Sequence, residues 1–254
     1  MKSIWKGAIG FGLVNIPVKL FSAVQQSNLD LDMLDSKDLA RIKYHRVNER
    51  SGKEVPYERI VKGYMLNERY VVLEDEDFES AMPEKTKLIE LENFVNLADI
   101  NPIYYETSYY TQPEPQGKKA YALLLKALTK SKKAGVARFV LRSSENLCVI
   151  HPLEKMLVVT KIRFAEEIRA MRELNVDLQT VKPKELQVGM ALIKQYSSDF
   201  DISEFKDEYS KALLKIIKSK AKGKKPIVKK MQPEKKLSDD LYEQLMQSLG
   251  KKGA

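Results

Sequence analysis

The residues best equipped for chemistry in this sequence are four consecutive carboxylates, Glu74-Asp75-Glu76-Asp77. Such a run suits Mg²⁺ and, with it, nuclease chemistry. Acidic residues also stabilise the first turn of a helix, and these four lead into a short helical stretch ending at Met82-Pro83. We read them as a helix start and keep an acidic-cluster nuclease as a third reading. Asp30, Asp32 and Asp35 resemble the opening of a calcium loop, but its glycine and terminal glutamate are missing. Cys148, the single cysteine, lies in the strand-like Leu147–Ile150 and reads as a small buried hydrophobe. His45 and His151 have no ligand partners at zinc spacing. Gly7, Gly10 and Gly12 form G-x-x-G-x-G, which is not a dinucleotide fingerprint and opens no helix. No catalytic residue, metal or cofactor is assigned.

The basic residues carry more information. Lys218 to Lys236 holds nine lysines against Glu234, which is eight of the chain's nine net positive charges. The rest of the 254 residues is near neutral, so a nucleic-acid surface there must come from arranging charge on one face. A hydrophobic content of 43% supports a real core, and no apolar run reaches membrane-span length. One cysteine and no secretory signal point to a reducing cytoplasm.

The elements that must position these residues begin with two β-rich segments, Ile4–Gly10 and Leu13–Ala23, broken at Gly10-Phe11-Gly12. Pro17 places the second at an edge, a bulge or an interruption. Arg41–Asn48 alternates as a strand with Arg41, Lys43 and His45 on one face. A turn at Ser51-Gly52-Lys53 follows, then Tyr57, Ile60 and Val61 at helix-like spacing. Tyr70–Leu73 and Lys87–Leu97 read as strands, and tyrosines cluster between Asp99 and Tyr110. A clear helix over Ala120–Leu128 ends in a basic turn with Lys130, Lys132 and Lys133. Val136–Arg142 is a strand with Arg138 and Arg142 on one face; a turn at Ser143–Asn146 and strands Leu147–Ile150 and Met156–Phe164 follow. Helices start at Pro183, with Leu186, Met190, Ile193 and Tyr196 on one face, and at Asp201, running to Ala221. Last, Leu237–Leu249 is a short amphipathic helix striped by Leu241, Leu245 and Leu249.

Several ordered blocks resemble bacterial Ku, the DNA-end-binding protein of non-homologous end joining. They are S3-I-W-K-G-A-I-G-F-G-L-V-N-I-P-V-K-L20, then R41-I-K-Y-H-R-V-N48 with G52-K-E-V-P56 and I60-V-K-G-Y64, then K119-A-Y-A-L-L124 through F164-A-E-E-I-R169. The resemblance covers residues 3 to about 217. Some members of that family carry Cys-x-x-Cys where Asn48 and Ser51 stand, so no metal role transfers. It implies an α+β fold with a β-barrel-like core and inserted helices (1–170), a helical dimerisation arm (171–221) and a flexible lysine-rich tail with a terminal amphipathic helix (222–254). It further implies a homodimer that closes as a ring around duplex DNA ends, recruits a multifunctional ATP-dependent DNA ligase, catalyses nothing and works on the bacterial nucleoid.

Strand parity and charge nominate Lys6, Lys19, Arg41, Lys43, Arg46, Lys53, Arg138 and Arg142 for the ring lining, followed by Lys132 and Lys133. Lys224, Lys225, Lys229 and Lys230 are nominated for tail contacts with DNA, and Leu241, Leu245 and Leu249 for the partner. The alternative is a non-threading, basic-tailed nucleic-acid binder, associated with chromatin or RNA.

Overall fold

The computed structural model describes residues 1–25, 29–81, 87–141, 144–224 and 241–249. Its contacts divide the chain between Ala170 and Met171 into two compact units, with residues 29–31 grouped with the second.

The first unit is built on a closed seven-stranded barrel. Its strands are β1 (Trp5–Phe11), β2 (Val14–Ser22), β5 (Leu88–Asn96), β6 (Tyr105–Pro113), β7 (Lys133–Leu141), β8 (Ser144–Leu153) and β9 (Met156–Ile162), ordered β1-β2-β6-β9-β8-β7-β5. Gly12, at φ +58, lies at the β1–β2 turn, a left-handed conformation that glycine adopts without steric cost. β2 is not an edge strand. It pairs with β1 from Val14 to Leu20, but its pairing with β6 begins only at Val18, so Pro17 stands where the second ladder stops. There the absent proline N–H breaks nothing. Ser144, Glu145 and Asn146, expected in a turn, are strand residues opposite Leu141, Val140 and Phe139.

Inward-facing Ile9, Ile16, Val18, Leu20, Ile89, Phe139, Ile150, Leu157 and Val159 fill the barrel. Helix α2 (Lys118–Ser131) closes it with Tyr121, Leu124 and Leu128. Gly117 enters that helix against Pro17, whose Cδ would lie 2.9 Å from any added Cβ. Cys148 is fully buried and its thiol pKa is pushed far up by burial, which makes it the inert hydrophobe the sequence suggested. His151 donates to or accepts from Thr160 Oγ1 at 3.1 Å, and burial lowers its pKa.

Between β2 and β5 the chain leaves the barrel. Arg41–Asn48 is extended but is not a strand. Single bridges, Leu34 to Arg41 and Val47 to Glu54, hold two short knuckles there, and Asn48 Oδ1 accepts from the amides of Arg50 and Ser51. Tyr57–Arg59 is one 3₁₀ turn, not a helix, because Ile60 and Val61 take the chain into a hairpin. That hairpin is β3 (Lys62–Leu66) paired with β4 (Arg69–Leu73), turning at Asn67 and Glu68, both at positive φ. Two positive-φ residues in a two-residue loop match the twist of a right-handed ribbon. The acidic run then starts α1 (Asp75–Ala81) as expected, with Asp77 Oδ2 accepting from the Glu74 amide at 2.8 Å.

The second unit holds α3 (Pro183–Tyr196), α4 (Glu208–Ala221) and α5 (Leu241–Leu249). α4 begins seven residues later than Asp201. Asp201 caps a 3₁₀ turn through Ser203, and the helix cap is Asp207, which accepts from the Ser210 amide at 2.8 Å. Hydrogen bonding to Ser210, first its side chain and then its backbone amide, lowers the Asp207 pKa.

One buried contact couples α2 to the barrel wall. Thr111 Oγ1 donates to the Leu157 carbonyl, so the Tyr121 hydroxyl donates to Thr111 and accepts the Leu157 N–H, each bond 2.7 Å. Tyr121→Phe leaves that buried N–H unpaired and should cost about 1–3 kcal/mol. Urea unfolding checks this as a lower midpoint with an unchanged slope.

Candidate nucleic-acid interface

The nominated basic residues do not form one set. Lys6 and Lys19 sit directly opposite each other on β1 and β2, where like charges destabilise. Glu114, at the end of β6, meets both, at 3.0 and 3.9 Å. Arg138 projects from β7 between two carboxylates, Glu92 at 2.8 Å and Glu145 at 3.2 Å, and these raise its pKa further. Strand parity gave its exposure correctly but not its partners, which come from the neighbouring strands. Arg41 is likewise held, 2.7 Å from Asp32. Arg142 lies outside the described residues.

Lys43 and Lys53 are exposed and have no acidic partner among the described residues. Arg46 lies over the Tyr57 ring, 5.4 Å from its centroid, an arrangement that keeps the guanidinium charge available. Lys132 ends α2 in the left-handed conformation at φ +56, and Lys133 opens β7; both are exposed. Sequence reasoning missed Arg59, on the 3₁₀ turn, and Lys62 and Arg69, on the hairpin. Lys62 stands 4.3 Å over the Phe78 ring, and Arg69 pairs across the ladder with Leu66. Their signal was the strand alternation from Lys62 onward, obscured by the helical reading just before it.

The hairpin itself is unusual. Lys62, Tyr64, Leu66, Arg69, Val71 and Leu73 share one face, and Gly63, Met65, Tyr70 and Val72 share the other. Tyr64, Met65, Leu66, Tyr70, Val71 and Val72 are all exposed large hydrophobics, distributed over both faces. An isolated two-stranded ribbon is marginal in water.

Asp75, Glu76 and Asp77 are exposed on α1, and Asp32 and Asp35 are engaged with Arg41 and the Lys37 amide. Among the described residues no cluster of three or more His, Cys, Asp or Glu is placed to hold a metal, and no helix is long and apolar enough to cross a membrane.

In the second unit Leu186, Met190, Ile193 and Tyr196 of α3 are exposed. α5 packs against α3, with Leu245 and Leu249 half-buried and Leu241 exposed. The terminal stripe thus lies on its own chain, folded back on the arm helix. Lys224 is exposed; Lys225, Lys229 and Lys230 lie outside the described residues.

The model of the family described as Ku70/Ku80 beta-barrel domain matches residues 10–190. The chain belongs to the Ku family. It is 38% identical to the "Non-homologous end joining protein Ku" of Coxiella burnetii, covering 89% of this chain and 85% of that one. The protein of that name from Archaeoglobus fulgidus is 38% identical over 90% of this chain and 91% of its own. That from Bacillus subtilis is 37% identical over 90% and 75%. The resemblance and the α+β barrel expected from it are thereby confirmed. The seven-stranded barrel is the domain for which the family is described, and the exposed hairpin lies within the matched residues.

Partnered and free cations should behave differently. Lys43→Gln with Lys53→Gln removes two unpaired charges and should reduce the salt slope of duplex binding by up to about 1.8, at about 0.9 per phosphate contact. Arg138→Gln should leave the slope unchanged and barely move the unfolding midpoint, because its pairs are solvent-exposed. Fluorescence anisotropy over a salt series, beside urea unfolding, reads both.

Proposed function

We propose that this chain binds double-stranded DNA ends as a ring-shaped homodimer in non-homologous end joining, without catalysis of its own, and recruits an ATP-dependent DNA ligase through its tail. The observation that carries this reading is the β3–β4 ribbon, apolar on both faces yet exposed on both. Such a surface needs cover. A second copy supplies it on one side, while Arg46, Arg59, Lys62 and Arg69 leave cationic side chains for phosphates. The names of the relatives supply the repair context, and family membership supports DNA binding.

A ring explains why no base-reading constellation stands out. Threading onto an end requires phosphate contacts and topology, whereas base contacts impose sequence preference. Recruitment of the ligase by the Leu241/Leu245/Leu249 stripe requires α5 to exchange its contact with α3 for one with the partner, since Leu245 and Leu249 are half-buried. The short α5 suits such an exchange: a helix of nine residues is marginal without a surface to lie on.

The test is topological. Linear duplex should bind, covalently closed circles of equal length should compete poorly, and blocking both ends after loading should trap the protein. Equal affinity for the linear and closed forms at matched salt excludes the ring and favours a non-threading binder.

A further inference from the structure

α2 is plugged into the barrel by one side only, and every charged residue on the helix is a lysine. Lys119, Leu123, Lys126 and Lys130 fall on one stripe, diametrically opposite the buried Tyr121, Leu124 and Leu128. Lys118 precedes this stripe, and Lys132 extends it past the end of the helix. All five lysines are exposed, and none has an acidic partner among the described residues.

Lysines on a solvent-facing helix are ordinary; the absence of acids is not. From Pro115 to Ser144 the sequence contains no aspartate or glutamate. The other long helices mix their charges, pairing Lys182 with Glu185 at the start of α3 and Glu208 with Lys211 on α4. α2 also opens with Lys118 and Lys119 in its first turn and no side-chain cap, where the helix dipole disfavours cations. A local choice that conflicts with helix electrostatics marks a position kept for another purpose. This concentration of charge stands on a folded body that is close to neutral outside the tail.

We propose that the outer face of α2 is a contact surface for the phosphate backbone of duplex DNA. The stripe from Lys119 to Lys130 spans about 16 Å at 1.5 Å per residue. That length corresponds to roughly five base-pair rises of 3.4 Å along the duplex axis. Lysine as a compact point charge suits sequence-independent phosphate contact. The face carries no arginine or aromatic anchor of the kind that dominates protein–protein interfaces, and a single exposed leucine is normal for a surface. The chemistry therefore favours nucleic acid over an acidic protein. The surface deepens the duplex-binding reading but does not depend on ring closure.

The experiment replaces Lys119, Lys126 and Lys130 together by Gln in the full chain and measures duplex affinity across a salt series. Gln and Lys have similar helix propensities, and the buried face is untouched, so thermal unfolding should match wild type. The salt slope should fall in magnitude by about 2.7, so that the affinity advantage of wild type shrinks about forty-fold between 50 and 200 mM salt. Lys→Arg at the same three positions should keep the wild-type slope. An unchanged slope in the Gln variant overturns the proposal, as does loss of slope in the Arg variant. The slope is measured on linear duplex alone, so it reports on α2 even where closed circles compete fully and the ring reading fails.

Discussion

Between Ala8 and Gly10, β1 meets β5 in a parallel pairing that closes the barrel; every other pairing among its described strands is antiparallel. The fit is tight at Gly7, where any Cβ would strike the Trp5 ring and the Lys87 carbonyl. The Ala8 amide donates to that same carbonyl at 3.0 Å. Trp5 is fixed in turn, donating from its indole to the Val140 carbonyl at 3.1 Å and meeting Phe139 edge-on. Parallel neighbours cannot be joined by a tight turn and need a long crossover. Here the crossover, after β2 and before β5, contains the knuckles, the ribbon and α1. Closing the barrel therefore anchors both ends of the segment that the proposed function uses.

This arrangement separates stability from binding. The interior is apolar, and its Thr111–Tyr121 contact to Leu157 leaves no buried side-chain polar atom without a partner among the described residues. Among the described residues the crossover buries no large hydrophobic side chain of its own: Tyr44, Tyr57, Tyr64 and Tyr70 are all exposed. Fixing such a segment without burying it gains little, so its order depends on what covers it. Charge follows the same division. Cations on the barrel strands, Lys6, Lys19 and Arg138, are neutralised by nearby carboxylates, and on the crossover Arg41 is paired with Asp32, whereas Lys43 and Lys53 on the crossover and the lysines on the outer face of α2 have no acidic partner among the described residues.

Much of the barrel was legible in the sequence because its signals are local. β-branched and aromatic runs marked β1, β2, β7 and β9, and the run Ala120–Leu128 marked α2. Proline at the first helical position marked α3, and the structure adds a Glu185 carboxylate that accepts from the Lys182 amide. The misreadings came where local pattern and tertiary partner differ. Arg41–Asn48 alternates without a neighbouring strand to pair with. Asp201 and Asp207 are both good caps, and only the second precedes a helix. In the candidate site, exposure was readable and availability was not, since Glu92 and Glu145 reach Arg138 from other strands. The basic face of α2 was overlooked although its acid-free stretch is visible in the sequence.

In the proposed dimer a second copy of the chain orders the ribbon. Hydrogen exchange of the amides of Lys62–Leu66 and Arg69–Leu73, followed over a dilution series without DNA, tests it most directly. The account predicts slow exchange at high protein concentration, lost on dilution as the dimer dissociates, while β7 and β8 stay protected throughout. Ribbon exchange that is independent of concentration, whether uniformly fast or uniformly slow, contradicts it.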